Sequence, residues 1–398
     1  MKISTVKLGD ICEINPSTNF VFDSEDACSF VPMEAVDDVD ARIMRMATRP
    51  FHEVAKGYTP FVENDVIVAK ITPCMENGKC AIGRRLRSPV AFGSTEFHVL
   101  RAMKGVIPEW LFYFWRFPPT RHLASVNMTG SAGQKRVPVT FLESAEIPLP
   151  GLSEQRRIAD RLQAADRLRR TRRYALELID TFLTAAFIDI FGDPLQNTRC
   201  YKVEELGDLL LIPPGLGTTK PCEPDGALRC IRVGEVGFGD IDLEACGFVN
   251  LTESERSRFM AEAGDILLAR AIGSEEHLGK LSICRPHAGI LAFDSHLMRL
   301  RVDPSRLLPQ FLGSMLWSSG GRRLFMRQAR RTAVQFNVNA EQISNLPIPL
   351  PPLPEQHHFV TLVGRAERLR SVQRESLRQA DHLFASLLDR AFRGHTAE

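Results

Sequence analysis

The chain has 398 residues, 44 % of them hydrophobic and 25 % charged, the composition of a soluble globular protein with room for two or three packed domains. A formal net charge of +2 excludes a uniformly basic surface, so any footprint for a polyanion must be local. No apolar run approaches the ~18 residues of a membrane span, Met1-Lys2-Ile3-Ser4 begins no signal peptide, and the chain reads as cytoplasmic.

Val6-Lys7-Leu8-Gly9-Asp10-Ile11 opens the chain, and Glu204-Glu205-Leu206-Gly207-Asp208-Leu209 echoes it. Short apolar runs broken by Pro, Gly, Asn and Asp follow, which predicts short strands and loops. Asn64–Lys70 is a strong strand pattern, matched by Gly264–Arg270. Each ends in a cation and enters a polar, Gly-containing loop, Thr72 to Arg85 in one half and Ala271 to Arg285 in the other. Phe92-Gly93-Ser94 to Arg101 then corresponds to Phe293-Asp294-Ser295 to Arg301. Pro108–Phe117 carries Trp110, Phe114 and Phe117 at helical spacing; core packing is preferred over base stacking there. Further along, Thr129–Arg136 and Arg330–Asn337 are polar loops rich in side chains that reach base edges and phosphates.

Next comes Glu146-Ile147-Pro148-Leu149-Pro150-Gly151-Leu152-Ser153-Glu154-Gln155, and a second copy runs from Leu346 to Gln356. Ile147 and Ile348, Gln155 and Gln356, Leu168 and Leu369, and Phe191 and Phe392 all differ by 201, about half the chain, so the unit is duplicated. Proline stiffens each lead-in, and Ser or Pro with a nearby Glu opens a helix. The first helical stripe reads Ile158, Leu162, Ala165, Leu168, Ala175, Ile179, Phe182, Ala186 and Ile190. The second reads Phe359, Val363, Ala366, Leu369, Ser376, Ala380, Leu383, Leu387 and Ala391. About 37 residues at ~1.5 Å each make rods of roughly 55 Å, which most simply bury their stripes on each other as an antiparallel coiled coil. Gly192-Asp193-Pro194 stops the first rod and Gly394 the second. Arg156, Arg157, Arg161, Arg167, Arg169, Arg170, Arg172 and Arg173 make the first rod basic, as a solvated face or a phosphate or acidic-partner surface.

Motifs for catalysis are missing. Gly273–Leu281 imitates a phosphate loop but is one residue too long and lacks its Ser or Thr. Gly215-Leu216-Gly217 lacks the third dinucleotide glycine. There is no His-Glu-x-x-His, no Gly-x-Ser-x-Gly and no Asp/Asn-Pro-Pro-Tyr/Phe. Asp65 with Lys70 suggests a nuclease, yet Val68 stands where a second acid is needed. His357-His358 diverges on a helix and forms no metal cluster. The nine cysteines contain no Cys-x-x-Cys, so Cys74 and Cys80, or Cys222 and Cys230, are read as buried thiols in a reduced compartment before metal ligands. No catalytic and no metal-binding residue is assigned.

The doubled order of globular half, Ile-Pro-Leu-Pro junction with Glu-Gln, and long helix resembles the specificity (S) subunits of type I restriction–modification systems. Gly130-Ser131-Ala132-Gly133-Gln134-Lys135 is also similar to the family's loop, while Gly151 and His357-His358-Phe359 depart from it. The resemblance implies an α+β fold: two similar target-recognition domains separated by two long antiparallel α-helices (a coiled coil), from an internal duplication with pseudo-twofold symmetry. The expected divisions are a first recognition domain over 1–150, a first helical spacer over 151–192, a second recognition domain over 193–351 and a second helical region over 352–398. It further implies a non-catalytic subunit reading a split, asymmetric site in double-stranded DNA. Two methyltransferase (M) subunits and restriction (R) subunits assemble on it. They use S-adenosylmethionine, ATP and Mg, and no cofactor is bound by this chain. A DNA nuclease or methyltransferase with diverged motifs and a protein-only scaffold are the alternatives.

Candidate DNA contacts are Lys70, Arg84, Arg85, Gln134, Lys135 and Arg136 in the first half, and Arg270, Lys280, Arg285, Arg330, Arg331 and Gln335 in the second. Leu176, Leu183 and Phe187, with Leu377, Phe384 and Leu388, lie beside the stripes and are the expected partner-binding face.

Overall fold

The computed structural model describes residues 4–18, 21–131, 133–237, 241–274, 277–285, 291–331 and 336–393, with only the backbone described at 330, 331 and 336. The junction sequences are strands: proline's fixed φ suits an extended edge that needs few N–H donors. Glu146–Leu149 pairs antiparallel with Ser4–Lys7, setting Ile147 opposite Val6. Pro347–Leu350 pairs in the same way with Lys202–Glu205, setting Ile348 opposite Glu204. Each junction then enters a helix of 40 residues, Leu152–Phe191 and Leu353–Phe392, roughly 60 Å long. Gly192, at φ +77°, ends the first in the left-handed region; Gly394 lies outside the described residues.

The chain divides into two compact units: Met1–Tyr174 with Gln373–Glu398, and Ala175–Val372. Each long helix therefore gives one half to each unit. Within the first unit, one four-stranded sheet has the order Ala47–Pro50, Ala27–Val31, Val90–Gly93, Thr59–Val62. The second has the order Cys12–Ile14, Phe97–Ala102, Val66–Ala69, Cys80–Ile82. The second unit repeats both orders, with Gly247–Val249, Leu228–Ile231, Leu291–Phe293, Met260–Ala261, and Leu210–Leu216, Leu297–Val302, Ile266–Ala269, Leu281–Ile283. The fold is thus α+β and internally duplicated. The segments from Thr72 and from Ala271, expected to be loops throughout, each contain a buried strand, Cys80–Ile82 and Leu281–Ile283. Pro108–Arg116 is a core helix, and Trp110 packs on Phe392 with ring centroids 4.7 Å apart.

In each unit the two helix halves run antiparallel. In the first, Arg169 Nε lies 2.6 Å from Asp381 Oδ1, while Arg172 Nη1 donates to Gln373 Oε1 at 3.1 Å. In the second, Asp180 pairs with Arg370, and Phe187 and Phe191 both pack on Phe359. The seam departs from the expected stripe: Leu168, Phe182, Leu369 and Leu383 are about half exposed. In the first unit, charged side chains enter the seam. Asp166, buried, holds Arg116 at 2.9 Å and Arg169 at 3.1 Å, and Arg116 and Arg169 lie over the Phe384 ring at 4.8 and 4.4 Å. Paired charges fill a helix seam where a hydrophobic pattern reads only a gap.

The residues of the expected partner face are largely turned inward within their own units. Phe187 is 1 % exposed, and Phe384 and Leu388 are 5 % and 3 % exposed, each packed in the core of its own unit. Leu183 is partly buried against the second core, and Leu176 and Leu377 are half-buried. The large apolar side chains that do face solvent are Leu152, Leu168, Tyr174, Leu178 and Phe182 on the first helix, and Leu369, Val372 and Leu383 on the second. Among the described residues no helix is long and apolar enough to cross a membrane.

Candidate nucleic-acid interface

The strand Val66–Ala69 is buried on both faces and delivers Lys70 to its open end. The polar loop 129–137 is laid against that exit. Thr129 and Arg136 exchange both backbone hydrogen bonds, at 3.0 and 2.8 Å. Thr72 N donates to Lys135 O at 3.0 Å, and Val137 N donates to Lys70 O at 2.9 Å. Gly130 makes the hairpin feasible: its φ is +122°, and a Cβ there would sit 2.9 Å from Gln134 O.

The base of the loop is pinned by a neutral histidine. His98 Nε2 donates to Val137 O at 2.8 Å, so Nδ1 is left to accept from Asn15 Nδ2 at 3.0 Å. Burial lowers the His98 pKa, in keeping with this single-proton form. Arg136 spends its guanidinium on Glu96, with bonds of 2.8, 2.9 and 3.2 Å. Those bonds hold the Glu96 carboxyl below its ordinary value despite partial burial, and raise the pKa of Arg136. Lys70 lies close enough to Glu96 to help lower its pKa, and Lys135 is exposed. This end thus offers a fixed loop base, an arginine bonded to Glu96, and the cations Lys70 and Lys135.

The second unit builds the same end differently. Val338 N donates to Arg270 O at 2.9 Å, as Val137 does to Lys70. Arg270 is turned inward, donating from Nε to Ser295 O and from Nη1 to Asn337 Oδ1, both at 2.9 Å. Arg330 and Arg331 form a strand paired with Phe336–Asn337, which pairs in turn with Ala271–Ile272. Lys280 O accepts from Ala269 N at 2.7 Å, so Lys280 also stands at this end. Gln335 lies outside the described residues.

The structure separates Arg84, Arg85 and Arg285 from these groups. Cys80–Ile82 runs antiparallel to Val66–Ala69, with Ile82 opposite Val66, so Arg84 and Arg85 emerge at the far end, about 20 Å along the strand direction from Lys70. Arg84 pairs with Glu109. Arg85 has φ +58°, and its N–H donates to Glu63 Oε1 at 2.9 Å. Arg285 faces Glu367 on the second long helix at 4.0 Å.

Two matched features had no role assigned from sequence. Gln155 and Gln356 are fully buried. Gln155 Oε1 accepts from Ile107 N at 3.0 Å, and Nε2 donates to Gly105 O at 2.9 Å and Pro150 O at 2.8 Å. Gln356 repeats this with Leu308 N at 2.9 Å, Arg306 O at 3.0 Å and Pro351 O at 2.9 Å. Their signal was the perfect repeat of Glu-Gln at each helix start. Asp65 and Asp265, both 1 % exposed, are locked in bidentate pairs with Arg101 and Arg301. Asp65 is therefore a brace and not a nuclease acid. Among the described residues no group of three or more His, Cys, Asp or Glu could hold a metal ion.

The fold is duplicated, and in each unit one buried central strand, Val66–Ala69 or Ile266–Ala269, runs into a cation, Lys70 or Arg270. Residues 2–178 match the family model described as type I restriction modification DNA specificity domain. The specificity subunit of the type I restriction enzyme EcoAI of Escherichia coli is 41 % identical over 149 residues, 37 % of this chain and 25 % of that one. That of StySPI from Salmonella potsdam is 25 % identical over 352 residues, 83 % of this chain and 74 % of that one. The chain thus spans about a quarter of the first relative's length. The type I restriction-modification S subunit of M. genitalium shares the fold with a TM-score of 0.57 at 13 % identity, covering 98 % of this chain and 96 % of that one. A chain from a study of complex assembly and conformational transition of the type I R-M system gives 0.53 at 21 % identity, with 98 % of each covered. The resemblance read from the doubled junction is borne out: this chain is similar to the specificity subunits of type I restriction–modification systems.

Proposed function

We propose that the chain is the non-catalytic DNA-specificity subunit of a type I restriction–modification complex, each unit reading one half of a split, asymmetric site. The observation that carries this reading is the duplication itself. Several supports recur in both units, the Val137–Lys70 and Val338–Arg270 backbone bonds and the Asp65–Arg101 and Asp265–Arg301 pairs among them, whereas the tips diverge: Lys70 with Lys135 in one unit, inward Arg270 with a three-stranded ribbon in the other. Matched frames with unlike tips suit two readers of unlike sequences. In this reading two methyltransferase subunits and restriction subunits bring S-adenosylmethionine, ATP and Mg, and this chain binds no cofactor. Leu178, Phe182, Leu369 and Val372, apolar and exposed, supply a docking face for the methyltransferases in place of the buried residues. The complex acts on cytoplasmic DNA.

The test is a map of methylated adenines in DNA from cells that express the chain with its methyltransferase. A bipartite motif is expected, and replacing residues 129–137 should alter one half of it only. Loss of neither half, or modification without this chain, refutes the reading.

A further inference from the structure

Cys230 lies in the strand Leu228–Ile231, and its cross-strand partner is Gly247. Glycine offers no side chain there, and Cys222 takes the space: a Cβ on Gly247 would sit 2.8 Å from Cys222 Sγ and 2.9 Å from Cys222 Cβ. Facing Cβ positions across a sheet are ~4.5–5.5 Å apart, so the Cys222 sulfur is carried to the flank of Cys230. Cys222 is among the groups that act on the Cys230 thiol and raise its pKa. Both side chains belong to one apolar cluster with Leu228, Val249 and Leu251. Cys246 packs instead in the neighbouring core with Ile231 and Val236, its thiol donating to Asp242 O at 3.3 Å. Cys230 is buried and Cys222 partly exposed. Burial pushes the Cys230 thiol up to about 12, so Cys222 is the sulfur that a reagent meets first.

We propose that Cys222 and Cys230 are a dithiol that closes reversibly to a disulfide on reaction with a low-molecular-weight disulfide of the glutathione class. Cys222 gives up its proton to solvent, and its thiolate attacks one sulfur of glutathione disulfide. A Cys222–glutathione bond forms, and one glutathione thiolate leaves. Cys230, deprotonated in turn, attacks Cys222 Sγ; the mixed disulfide breaks and the second glutathione thiolate leaves. The two released thiolates take up the two protons. The cysteines lose two electrons, and one glutathione disulfide becomes two thiols.

Closure ties the segment from Thr218 to Cys222 onto the sheet. That segment is already a strut. Thr218 N donates to Phe293 O and Ser295 N donates to Thr218 O, both at 2.9 Å, and Ser295 O receives Arg270 Nε at 2.9 Å. The disulfide therefore stiffens the support beneath Arg270.

The test uses the full chain in buffers of rising glutathione disulfide to glutathione ratio, quenched by alkylation and mapped by peptide mass. A Cys222–Cys230 cross-linked peptide, lighter by two hydrogens than the reduced pair, is expected. It should revert with dithiothreitol and be absent from Cys222→Ser. Cys230→Ala, which keeps the site apolar, should trap glutathione on Cys222. Hydrogen exchange at the Thr218 and Ser295 amides should slow on oxidation of the native chain. Glutathione resting on Cys222 of the native chain without closure, or Cys230 joined to Cys246, overturns the proposal. None of these readouts depends on DNA binding.

Discussion

Replacing Gln155 by alanine removes three hydrogen bonds from a side chain that has no solvent access, although Gly105 is exposed and Ile107 half-buried. Ile107 N–H and the carbonyls of Gly105 and Pro150 lose their partner together. Each buried backbone group left unsatisfied costs about 1–3 kcal/mol. Water entering the space left by the amide recovers part of that, because the site is polar. A loss of about 3 kcal/mol follows, roughly a factor of 150 in the folding equilibrium. Gln155→Leu separates bonding from packing: it fills the space, pairs nothing, and should lose as much. Gln155→Glu leaves one acceptor for Ile107 but turns an anion toward two carbonyls, so its folded pKa is raised above the ordinary carboxylate value. The extra cost should be absent below about pH 4 and grow as pH rises through the folded pKa. Urea unfolding followed by fluorescence in a Trp317→Phe background reads the first unit, whose tryptophans are Trp110 and Trp115. Exchange of the Ile107 amide gives a local check. Because both units share the long helices, that amide is the safer measure where unfolding is not two-state. A loss under about 1 kcal/mol for alanine, or rescue by leucine, refutes the hydrogen-bond account.

Further outcomes are expected at the interface and the helices. Lys70→Ala and Lys135→Ala should each weaken binding to any DNA and shallow the salt dependence by about one counterion, whereas Arg136→Ala, already spent on Glu96, should change that slope less; titration of affinity against salt decides it. Because the folded Glu96 pKa is depressed chiefly by Arg136, its stabilisation is full above the ordinary carboxylate value, about pH 4.5, and is lost as pH falls through the folded value; acid unfolding of Glu96→Gln should lack that component. Phe384→Glu should unfold the first unit by placing a charge in its core, whereas Phe182→Glu, at a site 51 % exposed, should leave the circular dichroism unchanged and impair binding of the methyltransferase subunit in gel filtration.

The sequence by itself determined the duplication, the two helices and the strands that deliver Lys70 and Arg270. Each is written in local chemistry: proline before Glu-Gln, period 3.6, and β-branched runs ended by a cation. Of the polar segments it singled out, Thr129 and Lys135–Val137 bond beside the first strand end, and Arg330–Arg331 pair with Phe336–Asn337 beside the second. Only the tertiary structure decided which charges are spent. Lys135 and Arg136 are neighbours in the chain, yet one is exposed and the other is bonded to Glu96, forty residues away. Likewise Arg84 reads as a loop cation until the antiparallel strand carries it to the opposite end from Lys70. The helix seam was misjudged for a related reason. Hydrophobic periodicity assigns burial to apolar side chains, whereas in the first unit Asp166, Arg169 and Asp381 enter the seam as partners while Leu168 faces outward. Pairing between distant residues is a property of the fold, and a one-dimensional pattern carries no trace of it.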